Sequence, residues 1–322
     1  MHVLYKKTIT VLLFLLFFVV AIIFLLNKYN SDRQKAVNII NLNNKNLVFE
    51  DDLQYFYEPR ADSIESPYID TLDIKPVYKF NRDTLRESNN YDVVKKDGVY
   101  RIIALGDSYT FGLYVPVTKI YPEILEDILN TRLSCPQFSA FEIINLGMSG
   151  YDVEYSAFRY RKRGQKYNPD MILWLLNSWN FDKSNEVFHR ISASVSEKSG
   201  KNTDKEFLAQ MAQQEIDNQY TKDFFIDYQK EKMANLLTSF DGDTILAGLV
   251  GKEEVKDAVK DFLIPEKIRY FHDLPDIASK QNENLVFPEG HFNSAGHLRT
   301  AQVLFEFLVK NFFPRCQLRD GP

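Results

Sequence analysis

The chain has 322 residues, 45% of them apolar, which is enough for one sizeable domain with additions. Its net charge of −5 comes without any long basic block, so nucleic-acid binding has no electrostatic support. The 25 Phe and 18 Tyr residues suit a large core or an aromatic-lined cleft, with core packing accounting for most of them.

In chain order, the first element is an uncharged apolar run from Thr8 to Leu26, preceded by Lys6 and Lys7. A spanning helix needs about 20 such residues. Signal-peptide cores are shorter, roughly 7–15 residues, and end in a small-residue cleavage site. Leu25-Leu26-Asn27-Lys28-Tyr29 offers no such site. Residues 1–30 are therefore read as a short cytoplasmic tail and an uncleaved N-terminal transmembrane helix. The basic tail points inward, which leaves the body of the protein outside the cytoplasm. A bacterial inner membrane, with the domain facing the periplasm or exterior, fits that layout. Residues 31–97 are polar and irregular, with Pro59, Pro67 and Pro76, and read as a spacer that becomes an ordered N-terminal arm. Val77–Phe80 within it has the character of an extended strand.

From Tyr100 onward strands and helices alternate, which predicts a parallel sheet with helices on both faces, an α/β fold. Arg101–Leu105, Glu142–Leu146, Met171–Leu176 and Thr244–Val250 are near-continuous apolar runs, as strands covered on both faces should be. Helical patterns lie at Tyr121–Leu133, Asp152–Arg163 and Glu253–Phe262, with Asp152 as an N-cap. A charged helical insertion occupies about 183–242. Its second half, Asp223–Ser239, suits a sheet-covering helix. Its first half is longer than an ordinary connection, and a lid and a solvated decoration are both compatible with it. The last helix begins near Ser294 and carries Ala301, Leu304, Phe305 and Leu308 on one stripe. The two cysteines, Cys135 and Cys316, follow the first and last helices of this domain; a disulfide and two separate thiols both remain open.

Chemistry concentrates at strand ends. Ser108 follows the first buried run, flanked by Gly106 and Gly112, where open α/β sheets place ligand sites. His291 lies in a Gly-containing loop before the last helix, and Glu289 two residues earlier can project to the same side. A serine needs such a base, and the base needs an orienting group. An oxyanion also needs preorganised donors. Gly150, after the second strand, offers a backbone N–H; Asn177 and Asn180, after the third, offer side-chain amides. Asp107 reads as a turn-stabilising carboxylate, Trp174 as core and Trp179 as a cleft residue. His297 reads as structural, since its six-residue gap from His291 lacks helical metal-ligand spacing.

Gly106-Asp107-Ser108, the Gly150 turn, Asn180 and His291 resemble the four blocks of the SGNH/GDSL hydrolase family, over about Arg101 to Phe313. The resemblance implies a three-layer α/β/α, flavodoxin-like fold spanning residues 98–316. It also implies ester-cleaving chemistry without metal or other cofactor. Ser108 would be the nucleophile and His291 the base, with Ser108 N–H, Gly150 N–H and the Asn180 side chain as the oxyanion hole. Two departures stand out. The family's aspartate three residues before the histidine is Pro288 here, leaving Glu289 as the orienting acid. The third block reads Ser178-Trp179-Asn180-Phe181, without the family's glycine and following aspartate, with Asp182 the candidate for that acid's structural part. The expected function is a membrane-anchored serine esterase acting on O-acyl groups of envelope glycans or lipids. An O-acyltransferase to a surface polysaccharide and a non-catalytic binding module are the alternatives.

Overall fold

A computed structural model of the chain describes residues 53–87, 89–199, 204–264, 267–271, 274 and 284–319. The apolar run read as a membrane anchor lies outside the described residues, as does the first part of the spacer. Among the described residues no helix is long and apolar enough to cross a membrane. The chain divides into two units, the first holding Gln54–Phe188 and everything from Lys222 onward. The second contains, among the described residues, Leu53, 189–199 and 204–221.

The elements run β1 (Val99–Leu105), α1 (Ser108–Phe111), α2 (Tyr121–Arg132), β2 (Ala140–Asn145), α3 (Val153–Arg159) and β3 (Met171–Leu176). They continue with α4 (Asn185–Ser199), α5 (Lys205–Gln219), α6 (Lys222–Ser239), β4 (Asp243–Gly248), α7 (Lys252–Val259), β5 (Ile268–Phe271) and α8 (Ser294–Asn311). The five strands form one parallel sheet in the order β2-β1-β3-β4-β5. Its register aligns Ile102 with Ile143 and Met171, and Trp174 with Leu105 and Leu246. The order reverses between β1 and β3, the switch point at whose carboxyl ends such sheets bind ligands. The segments bearing Ser108, Gly150 and Asn180 all leave strands at that edge.

Successive side chains of a strand point to opposite faces, so a continuous apolar run feeds two cores. On one face Tyr100, Ile102 and Ala104 of β1 join Leu125 and Leu129 of α2 and Ala301, Leu304 and Leu308 of α8. On the other, Ile103 and Leu105 join Val153 and Ala157 of α3, Met233, Leu236 and Leu237 of α6, and Val255 of α7. The result is three layers, and Trp174 sits in the second core at 1% exposure. Each fully buried Leu or Ile contributes roughly 1.5–3 kcal/mol. Strand β5 is absent from the four apolar runs of the sequence. It has four residues, pairs on one side only, and carries half-buried Arg269 and Tyr270.

Helix α3 is shorter than the pattern from Asp152 to Arg163 suggests. It is capped by the Asp152 carboxylate, which accepts from Tyr155 N–H, and it widens into a π-turn over Tyr160–Gly164. Cys135 and Cys316 are joined in a disulfide. Beside it Leu133–Ser134 pairs with Gln317–Leu318 in a short antiparallel ladder. In the second unit α5 is capped by Asp204, which accepts from Glu206 and Phe207 N–H, and carries a Gln213–Asp217 bond one turn apart.

Residues 54–87 and 89–97 belong to the first unit and are pinned to it rather than trailing from it. Ile64–Glu65 pairs with Tyr78–Lys79. Glu58 takes Arg163 at 3.0 Å and Lys162 at 2.9 Å. Arg86, 1% exposed, donates to the carbonyls of Phe111, Gly112 and Val115. Its guanidinium lies over the rings of Tyr78 and Phe111, at 4.5 and 4.7 Å. The adjacent Glu87 accepts from the N–H of Asn145 at the end of β2.

Candidate active site

Ser108 opens helix α1 three residues after β1 ends. The turn depends on Gly106, whose φ of +150° is rarely adopted by residues with a side chain. A Cβ there would lie 2.3 Å from Thr110 Oγ1 and 2.9 Å from the Leu175 carbonyl. Thr110 Oγ1 donates to the Leu105 carbonyl at 3.2 Å, folding the helix back on the strand it follows.

The structure brings Ser108, His291 and Glu289 into one chain of hydrogen bonds. Ser108 Oγ lies 2.8 Å from His291 Nε2. His291 Nδ1 lies 3.0 Å from Glu289 Oε1, and Glu289 Oε2 also accepts the His291 backbone N–H at 3.3 Å. Ser108 is 9% exposed, whereas the His291 and Glu289 side chains are 25% and 32% exposed. The serine is thus nearly buried, while the imidazole and carboxylate are partly open to solvent.

The His291 loop is held at both ends. Phe287 N–H donates to the His291 carbonyl at 2.8 Å, and Val286 bridges to Phe292. Asn293 then caps α8, accepting from Ala295 and Gly296 N–H at 2.9 and 3.0 Å. Tyr109, the neighbour of Ser108, reaches across and donates to the Gly290 carbonyl at 3.0 Å. Its ring stacks on the imidazole, with centroids 5.0 Å apart. The ring of Tyr114 meets the same imidazole edge-on at 5.5 Å. Neither tyrosine carries a sequence signal beyond being aromatic near the serine.

Asp107 is the hub beneath. It is 2% exposed, and burial raises its carboxyl above the ordinary value despite four hydrogen bonds that oppose the shift. Those bonds come from Tyr109 N–H at 3.1 Å, Asn177 Nδ2 at 2.6 Å, Trp179 Nε1 at 3.1 Å and Asn180 Nδ2 at 3.4 Å. Asp107 thereby caps α1 and ties the serine turn to the end of β3. The Trp179 indole is half-buried, its N–H spent on this carboxylate rather than on the cleft.

Of the expected oxyanion donors, Asn180 Nδ2 donates to the Tyr151 carbonyl at 2.9 Å and, more weakly, to Asp107. Its Oδ1 accepts Asn177 N–H at 2.6 Å. Asn177 in turn accepts Val250 N–H at 3.2 Å, so its amide braces β3 against the segment after β4. Gly150 is exposed and has φ +82°, with Tyr57 Oη 2.7 Å from where a Cβ would stand. Met148 N–H donates to the Gly106 carbonyl at 3.2 Å, and Asn145 Nδ2 to the Thr110 carbonyl at 3.0 Å. These bonds bring the turn after β2 against the serine turn. Asp182 lies 3.8 Å from Lys222, an ion pair on the surface.

His297 is 1% exposed and accepts Tyr121 N–H through Nδ1 at 3.2 Å. Burial, with Arg86 and His291 nearby, pushes it down to about 3, so it stays neutral. Among the described residues no cluster of His, Cys, Asp or Glu is placed to hold a metal ion.

No family model matches the sequence, and no curated protein matches it. Solved structures do. A two-domain esterase active on acetylated mannans is 15% identical with a TM-score of 0.45, the match covering 70% of this chain and 52% of that one. The chain thus spans about half the length of that esterase. A lipase/acylhydrolase from Enterococcus faecalis is 13% identical with a TM-score of 0.45, covering 69% of this chain and 100% of its own. A lipolytic protein of the G-D-S-L family from Desulfitobacterium hafniense is 13% identical with a TM-score of 0.41, covering 64% and 98%.

Proposed function

We propose that the protein is a serine hydrolase of the SGNH/GDSL type that cleaves an ester. The observation that carries this reading is the Ser108–His291–Glu289 relay, with 2.8 and 3.0 Å links. Ser108 Oγ attacks the ester carbonyl while His291 Nε2 takes its proton. Glu289 at Nδ1 keeps the ring in the tautomer that leaves Nε2 free to accept, and stabilises the imidazolium that forms. The tetrahedral oxyanion is met by the N–H of Ser108, which opens α1 without an intrahelical acceptor, together with Gly150 N–H and Asn180 Nδ2. The 3.4 Å bond from Asn180 to Asp107 is the one an oxyanion would replace, because the 2.9 Å bond to Tyr151 holds the amide in place. Collapse breaks the carbon–oxygen bond to the alcohol, and His291 returns its proton to the departing oxygen. Water then repeats the sequence on the acyl-enzyme.

The substrate class we favour is an O-acyl ester of an envelope glycan or lipid. The apolar run at residues 8–26 supports a membrane-anchored protein, and the Cys135–Cys316 bond supports a domain facing an oxidising compartment. The full chain should hydrolyse short-chain aryl esters and react covalently with a fluorophosphonate probe. Ser108→Ala should lose both, with a rate loss on the order of 10⁶-fold. Equal, slow cleavage by both forms would refute the hydrolase reading, and a folded wild type that ignores the probe would favour a binding module.

A further inference from the structure

Tyr114 carries a backbone strain beside the imidazole of His291. Its φ is +72°, a left-handed conformation that is a true outlier for a bulky residue. Such outliers persist only where their surroundings over-determine them, and they cluster at functional sites. Here the surroundings are explicit. Arg86 grips the carbonyls of Gly112 and Val115 on either side, and Tyr78 Oη accepts the Tyr114 N–H at 3.1 Å. Both residues come from the N-terminal arm, and both are buried. What this clamp holds in place is a half-buried ring, edge-on to His291 at 5.5 Å and to Phe287 at 5.8 Å. The Tyr114 hydroxyl has no hydrogen-bond partner among the described residues.

We infer that Tyr114 is the specificity-determining residue for the alcohol half of the ester, and that Arg86 and Tyr78 are positioning residues that act through it. The inference rests on the hydrolase reading. In that chemistry His291 Nε2 hands its proton to the departing alcohol, so whatever group borders the imidazole borders the alcohol and not the acyl chain. An open aromatic ring with an unpaired hydroxyl suits a cyclic alcohol, stacking on its apolar face and bonding a ring substituent. A short acyclic alcohol gains little from either contact.

The test compares kcat/KM across two series, acetates of varied alcohols (methyl, cyclohexyl, phenyl, a methyl glycoside) and esters of varied acyl length on one alcohol. Wild type should prefer the cyclic alcohols. Tyr114→Gly removes the ring and also relieves the backbone, and a Tm measured beside the kinetics separates loss of the ring from misfolding. The ratio between cyclic and methyl acetates should fall about tenfold or more, with the acyl-length profile retained. Tyr114→Phe should restore selectivity for cyclohexyl over methyl but not for the glycoside. Arg86→Lys should lower the same alcohol ratio, a readout that a purely structural loss would not move. Unchanged alcohol selectivity in Tyr114→Gly, with hydrolysis still lost in Ser108→Ala, would overturn this inference alone. Absence of any Ser108-dependent hydrolysis would overturn both it and the hydrolase reading.

Discussion

Glu289 stands where a shorter acid would have to come from a different position in the loop. An aspartate three residues before the histidine reaches its ring from one side of the turn; here Pro288 occupies that place and contributes no carboxylate. The extra methylene of glutamate lets the residue two before His291 span the gap, giving one oxygen to the ring and the other to the backbone N–H. Because that carboxylate is a third exposed, water shares its work, and its loss should cost less than loss of the serine. Glu289→Gln should lower kcat by roughly 10²- to 10⁴-fold while leaving probe labelling detectable at long times, as stopped and steady-state assays on the full chain would show. A loss as deep as that of Ser108→Ala would mean that the carboxylate does more than orient the ring.

At the scale of elements, α2 and β2 meet through a buried acid. Glu126 of α2 accepts Ile143 N–H of β2 and, at 3.1 Å, the Tyr91 hydroxyl. Burial, with the charges of Glu123 and Glu142, outweighs those bonds and raises it from 4.5 to about 7. A raised carboxyl means that the folded state holds the proton more tightly than the unfolded chain. The associated stability is complete below about 4.5 and is lost as pH rises through about 7. Glu126→Gln accepts the same two bonds without ever ionising. It should therefore gain on the order of 1–3 kcal/mol over wild type at pH 8, and little at pH 4, in urea denaturation at the two values. A constant difference across pH would dismiss the titration. This contact also shows why sequence patterns reach some elements and not others. The runs at 102–105 and Met171–Leu176 are legible because a strand covered on both faces sends its side chains into two apolar cores, while Arg101 is buried with Glu142 and the Tyr167 carbonyl as partners. Strand β5, at the edge, tolerates Arg269 and loses that signature.

Across the whole molecule, Ser108, His291 and Glu289 were legible because each lies within two residues of a glycine at the border of a regular element. Arg86, Tyr78 and Tyr114 were not. The arm has no periodicity, and an arginine that satisfies three carbonyls across 25 to 29 residues of chain leaves no local pattern to read. The pairing of Cys135 with Cys316 likewise needed the geometry, since two cysteines fix no distance by themselves. The bond closes a loop with a sequence separation of 181. Cys135→Ser with Cys316→Ser should reduce unfolding free energy by about 2–5 kcal/mol, read from denaturant midpoints under non-reducing conditions.

That covalent ring has a practical corollary. It encloses the helical insertion and the imidazole loop, while the serine turn lies upstream of it. A protease that nicks the backbone anywhere between the two half-cystines yields fragments that travel together on a gel and part only when thiol is added. A single cut there would leave the segments bearing Ser108 and His291 tethered to one body.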